Sequence, residues 1–187
     1  MMDKNTYKVF QYIIGHPKQD LHLNVTSNMC PADKKLKEKY FNMASEICMQ
    51  EKVEHLMQFV SVDAFGKRAE YIRNGLDFDR MMDNVEEFLD RIPVRNSITF
   101  ICTYNNLSIT SMDKLLEKIL ELRKKYSKTY QRVWFDVPLL RQPAWQQITL
   151  LPESYQVIHE ANIKYMKENS SEPNGLHIFK DFEIQKM

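Results

Sequence analysis

The sequence predicts an α/β fold in which about four parallel strands alternate with helices. Four short apolar runs predict the strands, and each is followed by a segment with helical periodicity. Successive runs begin 35, 41 and 35 residues apart, about the length that one strand, one helix and two loops require. This alternation favours parallel strands joined by right-handed crossovers. The predicted strands are Leu21–Asn28, Leu56–Ala64, Ser97–Asn105 and Arg132–Leu140.

Five segments carry apolar residues at helical spacing. The clearest begins near Asp77, a plausible N-cap, and ends near Arg91 before Pro93. Thr110, followed three residues later by Asp113, has the spacing of a capping box and predicts a helix start there. The predicted helices are Thr6–Gly15, Asp33–Met49, Asp77–Arg91, Met112–Tyr126 and Glu153–Glu168.

The composition is that of an ordinary globular domain and excludes several classes of function. Hydrophobic residues make up 43% of the chain, charged residues 27%, and the formal net charge is +1. The near-zero charge gives no reason to expect nucleic-acid or anionic-membrane binding. The densest basic run, Arg123–Lys128, is predicted to sit at a helix end, where cations oppose the helix dipole. No apolar run approaches the roughly 18 residues of a membrane span, and no signal-peptide core is present at the start.

The histidines and cysteines have no spacing typical of a metal site or of nucleophilic catalysis. His22 is predicted to be a packing residue in the middle of a strand. The three cysteines are odd in number and far apart, so no disulfide framework is expected and a cytoplasmic location is predicted. Cys102 is predicted to be a buried thiol. Cys30 could be exposed, but it has no identifiable activating base.

Polar side chains follow all four predicted strands. In parallel α/β sheets, ligands bind at the carboxyl ends of the strands, so these residues predict a shared ligand cavity. Loop and cap residues are often polar as well, and an ordinary strand end therefore remains an equal alternative at this point. The residues are Thr26, Ser27 and Asn28, then Ser61 and Asp63, then Thr103, Tyr104, Asn105 and Asn106, then Asp136 and Pro138.

The stretch Phe59–Leu89, "FVSVDAFGKRAEYIRNGLDFDRMMDNVEEFL", resembles the fourth βα unit of radical S-adenosylmethionine (radical SAM) enzymes. "LHLNVTSN" resembles the preceding strand of that family, and "FICTYNNLSITSMDKLLEKI" resembles the following unit. The likeness runs in order from about Asn5 to Lys167. It is nearest to members with a C-terminal auxiliary region of the twitch type.

The resemblance implies a partial TIM-like (β/α) barrel made of strands 3 to 6 of a six-stranded radical SAM barrel. Residues 1–170 would form this partial barrel, and residues 171–187 would begin a truncated auxiliary region. The family's C-x3-C-x2-C cluster motif and its GGEP motif are missing. The chain would then be a fragment of a radical SAM enzyme, inactive by itself, with no catalytic residue and no metal ligand of its own.

The same resemblance implies that the chain contributes part of a cradle for S-adenosylmethionine. Ser61 and Asp63 would lie near the ribose, and Asn28 near the aminoacyl end. Arg73 would meet the carboxylate, or else be a surface arginine. Asn105 and Asn106 would lie near ribose or adenine. Val137, Pro138 and Leu139 would form the adenine floor.

Three interpretations follow from the sequence. In the first, this fragment works with a separately encoded N-terminal half that carries the 4Fe–4S cluster motif. In the second, it is a non-catalytic barrel remnant that acts by association with such a half, with another copy of itself or with another partner, since four strands cannot close a barrel. In the third, it is a complete small α/β protein that binds a nucleotide. The first two predict poor solubility or oligomers for the chain alone.

Overall fold

A computed structural model describes residues 4–138, 140, 142–172 and 175–187. Four parallel strands form one sheet in the order β1-β2-β3-β4 and alternate with helices along the chain. The predicted α/β class is therefore confirmed. The strands are β1 Lys18–Ser27, β2 Val53–Ser61, β3 Asn96–Ile101 and β4 Val133–Asp136. The helices are α1 Lys4–Gly15, α2 Lys34–Met49, α3 Lys67–Ile72, α4 Phe78–Arg91, α5 Met112–Tyr126, α6 Gln156–Glu168 and α7 Asp181–Gln185.

The five predicted helices are all present, but two short ones were not predicted. α3 has six residues and α7 has five, too few to show a helical period. The predicted capping box at Thr110 is wrong. A 3₁₀ turn over Ile109–Ser111 precedes α5, and Ser111 at its N-cap makes no capping hydrogen bond. Its hydroxyl instead donates to Ser108 O, at 3.2 Å, and accepts from Phe65 N, at 3.3 Å.

The chain divides into two compact units. The first contains the described residues up to Ser61 together with Asp79–Thr99, and the second contains Val62–Phe78 and the described residues from Phe100 onward. The predicted boundary at residue 170 is a different kind of division, between a barrel and an auxiliary region, and it stays a prediction.

The first unit packs the apolar faces of α1, α2 and α4 together. Phe10 stacks on Tyr40 with ring centroids 5.2 Å apart, and Phe41 meets Phe88 edge-on at 5.7 Å. All four rings are fully buried, which makes them the centre of this hydrophobic core.

One buried glutamine joins β1 to β2 beneath this core. The Gln58 side chain accepts from Tyr40 Oη, at 2.5 Å, and donates to Val25 O, at 3.1 Å. Its amide also donates to Ser27 Oγ and Phe59 O, at 3.2 and 2.9 Å. Because each polar atom of Gln58 has a partner, its complete burial need not destabilise the fold.

The opposite face of the sheet in this unit is open. His22, Asn24 and Thr26 of β1 are exposed, while Met57 and Phe59 of β2 are only half-buried. The predicted packing role of His22 is therefore wrong: β1 is an edge strand, and this face of it carries no covering layer among the described residues.

The second unit surrounds α5, whose apolar face is buried. Within it, Arg123 is also fully buried and pairs with the fully buried Glu183 of α7, Nη2 to Oε1 at 2.6 Å. The predicted position of this basic run at a helix end is confirmed, since Arg123, Lys124 and Lys125 lie in the last turn of α5. The burial of Arg123 and its ion pair were not predicted. In the part of the chain that the structure describes, no helix is long and apolar enough to cross a membrane.

Candidate functional site

Asp63 lies two residues beyond the end of β2, and its carboxylate is buried in an ion pair with Arg73. Arg73 Nε donates to Oδ2 at 2.7 Å, and Nη2 donates to Oδ1 at 3.1 Å. Thr103 N, just beyond β3, also donates to Oδ1 at 3.0 Å. The resemblance assigned Asp63 to the ribose and Arg73 to the carboxylate of one ligand, but in the structure the two side chains bind each other. Together they fix the α3 segment to the ends of two strands.

Asn105 and Asn106 form the turn after β3, and their side chains have different surroundings. Asn105 uses both ends of its amide inside the turn: Oδ1 accepts from Leu107 N at 2.9 Å, and Nδ2 donates to Thr103 O at 2.8 Å. Asn106 reaches the segment after β4, donating from its backbone N to Gln146 O and from Nδ2 to Trp145 O, at 3.0 and 2.9 Å. Among the described residues, its Oδ1 is buried with no hydrogen-bond partner.

Val137 and Pro138, which follow β4, line a cavity of about 270 Å³. Tyr104 forms another part of its wall, and Thr149 and Lys186 add polar groups. Lys186 Nζ also binds the Asp136 carboxylate at the end of β4. Leu139, the third predicted floor residue, lies outside the described residues.

A second cavity, of about 400 Å³, shares Ile148, Thr149 and Met187 with the first. Its lining is mainly apolar, and His159 of α6 is one of its polar groups. The two cavities therefore adjoin along the segment that follows β4. A ligand larger than one cavity could occupy both.

Tyr104 and His159 join these two cavities. Their rings stack with centroids 5.7 Å apart, and Tyr104 Oη lies 3.2 Å from His159 Nδ1. Burial raises the pKa of Tyr104 to about 12, partly opposed by the neighbouring Asn162 amide. Burial lowers the pKa of His159, partly opposed by Glu160. A neutral tyrosine donating to a neutral imidazole is the arrangement that these directions favour at neutral pH.

Sequence reasoning missed His159 because it lies 55 residues beyond Tyr104 and has no motif around it. A weak signal was available: Tyr155, His159, Asn162 and Met166 recur every three or four residues along the predicted helix, and so share one face. That spacing identifies a buried side of α6, but it does not reveal which strand end the side meets.

Asn28 and Ser61 lie in the first unit. Asn28 follows β1 and its Oδ1 accepts from Cys30 N at 3.1 Å, a local turn interaction. Ser61 is the last residue of β2 and is half-buried. Their predicted contacts with a ligand stay predictions.

No known family model matches the chain, and no curated protein matches it. The radical SAM resemblance therefore rests on the residues quoted above.

The three cysteines occupy separate buried positions. Cys30 is buried rather than exposed, and its sulfur accepts from Arg80 Nε and Nη2, both at 3.2 Å. Cys102 is buried as predicted and donates to Asp63 O at 3.3 Å, and burial raises the pKa of its thiol. Among the described residues, no group of three or more histidine, cysteine or carboxylate side chains could hold a metal ion. These thiols do not fit an iron–sulfur cluster, which needs thiolates gathered at one point.

Proposed function

We propose that this chain is the part of a radical SAM enzyme that spans strands 3 to 6 of its barrel, and that it binds the adenosine portion of S-adenosylmethionine. The observation that carries the proposal is the strand order. Parallel strands lie in the order β1-β2-β3-β4. The right-handed crossovers that parallel strands almost always adopt would then direct every connection to one face of the sheet, as in a (β/α) barrel.

The same order counts against the doubly wound nucleotide-binding alternative. Such folds bind nucleotides where the strand order reverses, and this sheet has no reversal. A small nucleotide-binding protein of that type would also need a glycine-rich turn after its first strand. The chain has 4 glycines, and none lies between β1 and α2.

The cavity beside Val137 and Pro138 supports an adenosine site. Its volume of about 270 Å³ suits one nucleoside rather than a whole dinucleotide. Tyr104 and Val137 supply apolar surface for a base. Asn106, whose Oδ1 is buried without a partner among the described residues, is near Tyr104 in sequence but does not line this cavity, so its predicted contact with ribose or adenine stays a prediction.

In the proposed site, Asp63 acts indirectly, by holding Arg73 in place. Their mutual ion pair uses the two oxygens of the carboxylate, so Asp63 holds Arg73 and the backbone of Thr103 instead of reaching a ligand directly. The Arg73 side chain is 34% exposed, which leaves part of its guanidinium accessible to an anion.

In this family the cluster supplies an electron that cleaves the sulfonium and generates a radical for hydrogen abstraction from substrate. The proposal assigns no such step to this chain, because its cysteines do not fit the cluster. The contribution of its own residues is to bind and orient adenosine and to exclude water from it. The cluster ligands, a separately encoded N-terminal half and a cytoplasmic location remain parts of the proposal.

The test is titration of the purified chain with S-adenosylmethionine by calorimetry, with adenosine and methionine titrated separately. We expect weak binding, with a dissociation constant of roughly 0.1–1 mM, for S-adenosylmethionine and for adenosine, and no heat from methionine. Failure of both adenosine-containing ligands to bind at several millimolar would refute the proposal.

A matched pair of variants locates the site. Thr149→Trp adds a large ring to the wall that both cavities share and should weaken binding strongly. Thr129→Trp places the same ring at an exposed position that lines neither cavity and should leave binding unchanged. Equal binding by the two variants would show that adenosine binds elsewhere.

A further inference from the structure

We propose that the chain by itself forms a two-fold dimer in which β1 pairs with β1 of a second copy, antiparallel and with Leu23 on the two-fold axis. This inference does not depend on adenosine binding, which is assigned to the other unit. β1 lies at the edge of the sheet, and no strand pairs with its outer side among the described residues.

The hydrogen-bonding direction of β1 follows from its neighbours. Leu56 N donates to Arg95 O at 2.8 Å, so Leu56 points its backbone groups toward β3, and the residues on either side of it point toward β1. Met57 is one of the residues that point to β1, and it is in register with Asn24. In a parallel ladder Met57 then bonds the two residues flanking Asn24. The outer edge of β1 therefore carries the N–H and C=O groups of His22, Asn24 and Thr26.

The side chains of β1 also divide by face. Leu21, Leu23 and Val25 lie on the face that the helices partly cover and remain half-exposed, whereas His22, Asn24 and Thr26 are exposed on the open face. An ordinary edge strand is protected by charge, proline or a covering element. Between His22 and Ser27, β1 has neither a charged residue nor a proline.

A second copy fits this edge in the antiparallel register that places Leu23 opposite Leu23, so that the numbers of any two opposing residues add to 46. Leu23 then faces Leu23, Leu21 faces Val25, and Val25 faces Leu21, so each half-exposed apolar side chain gains an apolar neighbour. On the other face, His22 meets Asn24 and Asp20 meets Thr26, and no like charges are opposed. His22 and Asn24 both have outward backbone groups, so their pair exchanges two hydrogen bonds in each half of the interface.

A parallel strand from another polypeptide is the competing occupant, and it would use the same edge. The sequence pattern favours the second copy, because apolar residues oppose apolar ones and polar residues oppose polar ones. The register of β1 against β2 is regular from His22 to Ser27 and irregular between Lys18 and His22, so the pairs around Leu23 form the centre of the interface. This self-complementarity is what a two-fold interface requires.

Light scattering during gel filtration tests the assembly. The chain alone should have twice its mass of 22.3 kDa at high concentration and dissociate on dilution. Val157→Lys, which changes an exposed apolar residue of α6, should dimerise like the parent. A chain that stays at 22.3 kDa at every concentration would overturn the proposal and leave the edge to a different polypeptide.

Cysteine crosslinking tests the register. Leu23 forms a non-hydrogen-bonded pair with its own copy, with Cα atoms about 4.5 Å apart, so Leu23→Cys should form an intermolecular disulfide under mild oxidation. Leu21→Cys is the matched control, since two copies of position 21 would lie about 13 Å apart along the strands. The three native cysteines are buried and serve as an internal background. Equal crosslinking of both variants, or of neither, would refute this interface.

Discussion

The two edges of the sheet differ: side chains hydrogen-bond to the outer backbone groups of β4, whereas those of β1 are uncovered among the described residues. At the outer edge of β4, Phe135 N donates to Glu183 Oε1 at 3.1 Å, and Val133 O accepts from Arg123 Nε at 3.0 Å. Side chains thus occupy the positions that another strand would need. At the outer edge of β1, the backbone groups of His22, Asn24 and Thr26 have no such cover among the described residues.

The difference shows that an edge strand can be closed by a buried ion pair as well as by a neighbouring strand. Glu183 receives hydrogen bonds from Arg123, Phe135 N and Lys180 N, the last at 2.8 Å, and its carboxylate is therefore well satisfied. A buried ion pair tolerates the loss of water only with this many partners. Association through β4 is accordingly disfavoured, and association through β1 is left open.

The largest effect is expected from breaking the closure of β4. Glu183→Gln removes the negative charge that balances the fully buried Arg123, and we expect it to lower the free energy of unfolding by about 3–5 kcal/mol. Urea denaturation followed by circular dichroism measures this loss.

The control for Glu183→Gln is Glu38→Gln, which breaks a solvent-exposed pair with Arg91, 2.8 Å between Oε2 and Nη2. Its effect on stability should be slight, because water screens exposed pairs. If the two variants are equally stable, the buried pair does not hold the β4 edge.

A smaller effect is expected from loosening β1. Tyr40→Phe leaves the buried Gln58 Oε1 without the tyrosine donor and should lower the free energy of unfolding by about 1–3 kcal/mol. Because Gln58 also holds Val25 O, amide hydrogen exchange should accelerate in β1 before it does so in β4. Tyr12→Phe, at an exposed ring of α1, is the control and should behave like the parent. Uniform acceleration across all four strands would contradict the role given to Gln58.

The smallest effect is a pH dependence in the unit that contains the closed edge. Burial lowers the pKa of His159 below its unfolded value, so the unfolded chain takes up the proton first as the pH falls. Stability should therefore decrease from about pH 7 downward, and the decrease should end once the pH is below the folded pKa.

The readout for His159 is the difference between the parent and His159→Gln in urea midpoints at several pH values. The variant lacks the titrating group and should lose less stability between about pH 7 and pH 5. Carboxylates such as Glu172, whose pKa is lowered mainly by the backbone hydrogen bond from His177, act at lower pH in both proteins. Parallel curves for the two proteins would exclude His159 as the cause.

Local residue patterns were enough to predict the alternation of strands and helices, because apolar spacing and turn residues act within one segment. Apolar spacing identified α4 and α5 nearly to the residue, and polar residues after each strand marked the carboxyl ends. The predicted fourth strand ran on to Leu140, whereas β4 ends at Asp136, so Val137 and Pro138 lie after the strand and line a cavity. Their role in binding adenine, which the resemblance implied, stays a prediction.

The pairing of charges and the exposure of one strand edge depend on contacts between distant parts of the chain. Arg123 and Glu183 are 60 residues apart, and Asp63 meets Arg73 only because α3 turns back on the end of β2. The spacing of residues within each segment does not predict these ion pairs, because the burial of a charge depends on the other segments that pack against it. For the same reason the sequence did not predict that Arg123 is buried, and it predicted a packing role for His22, which is exposed.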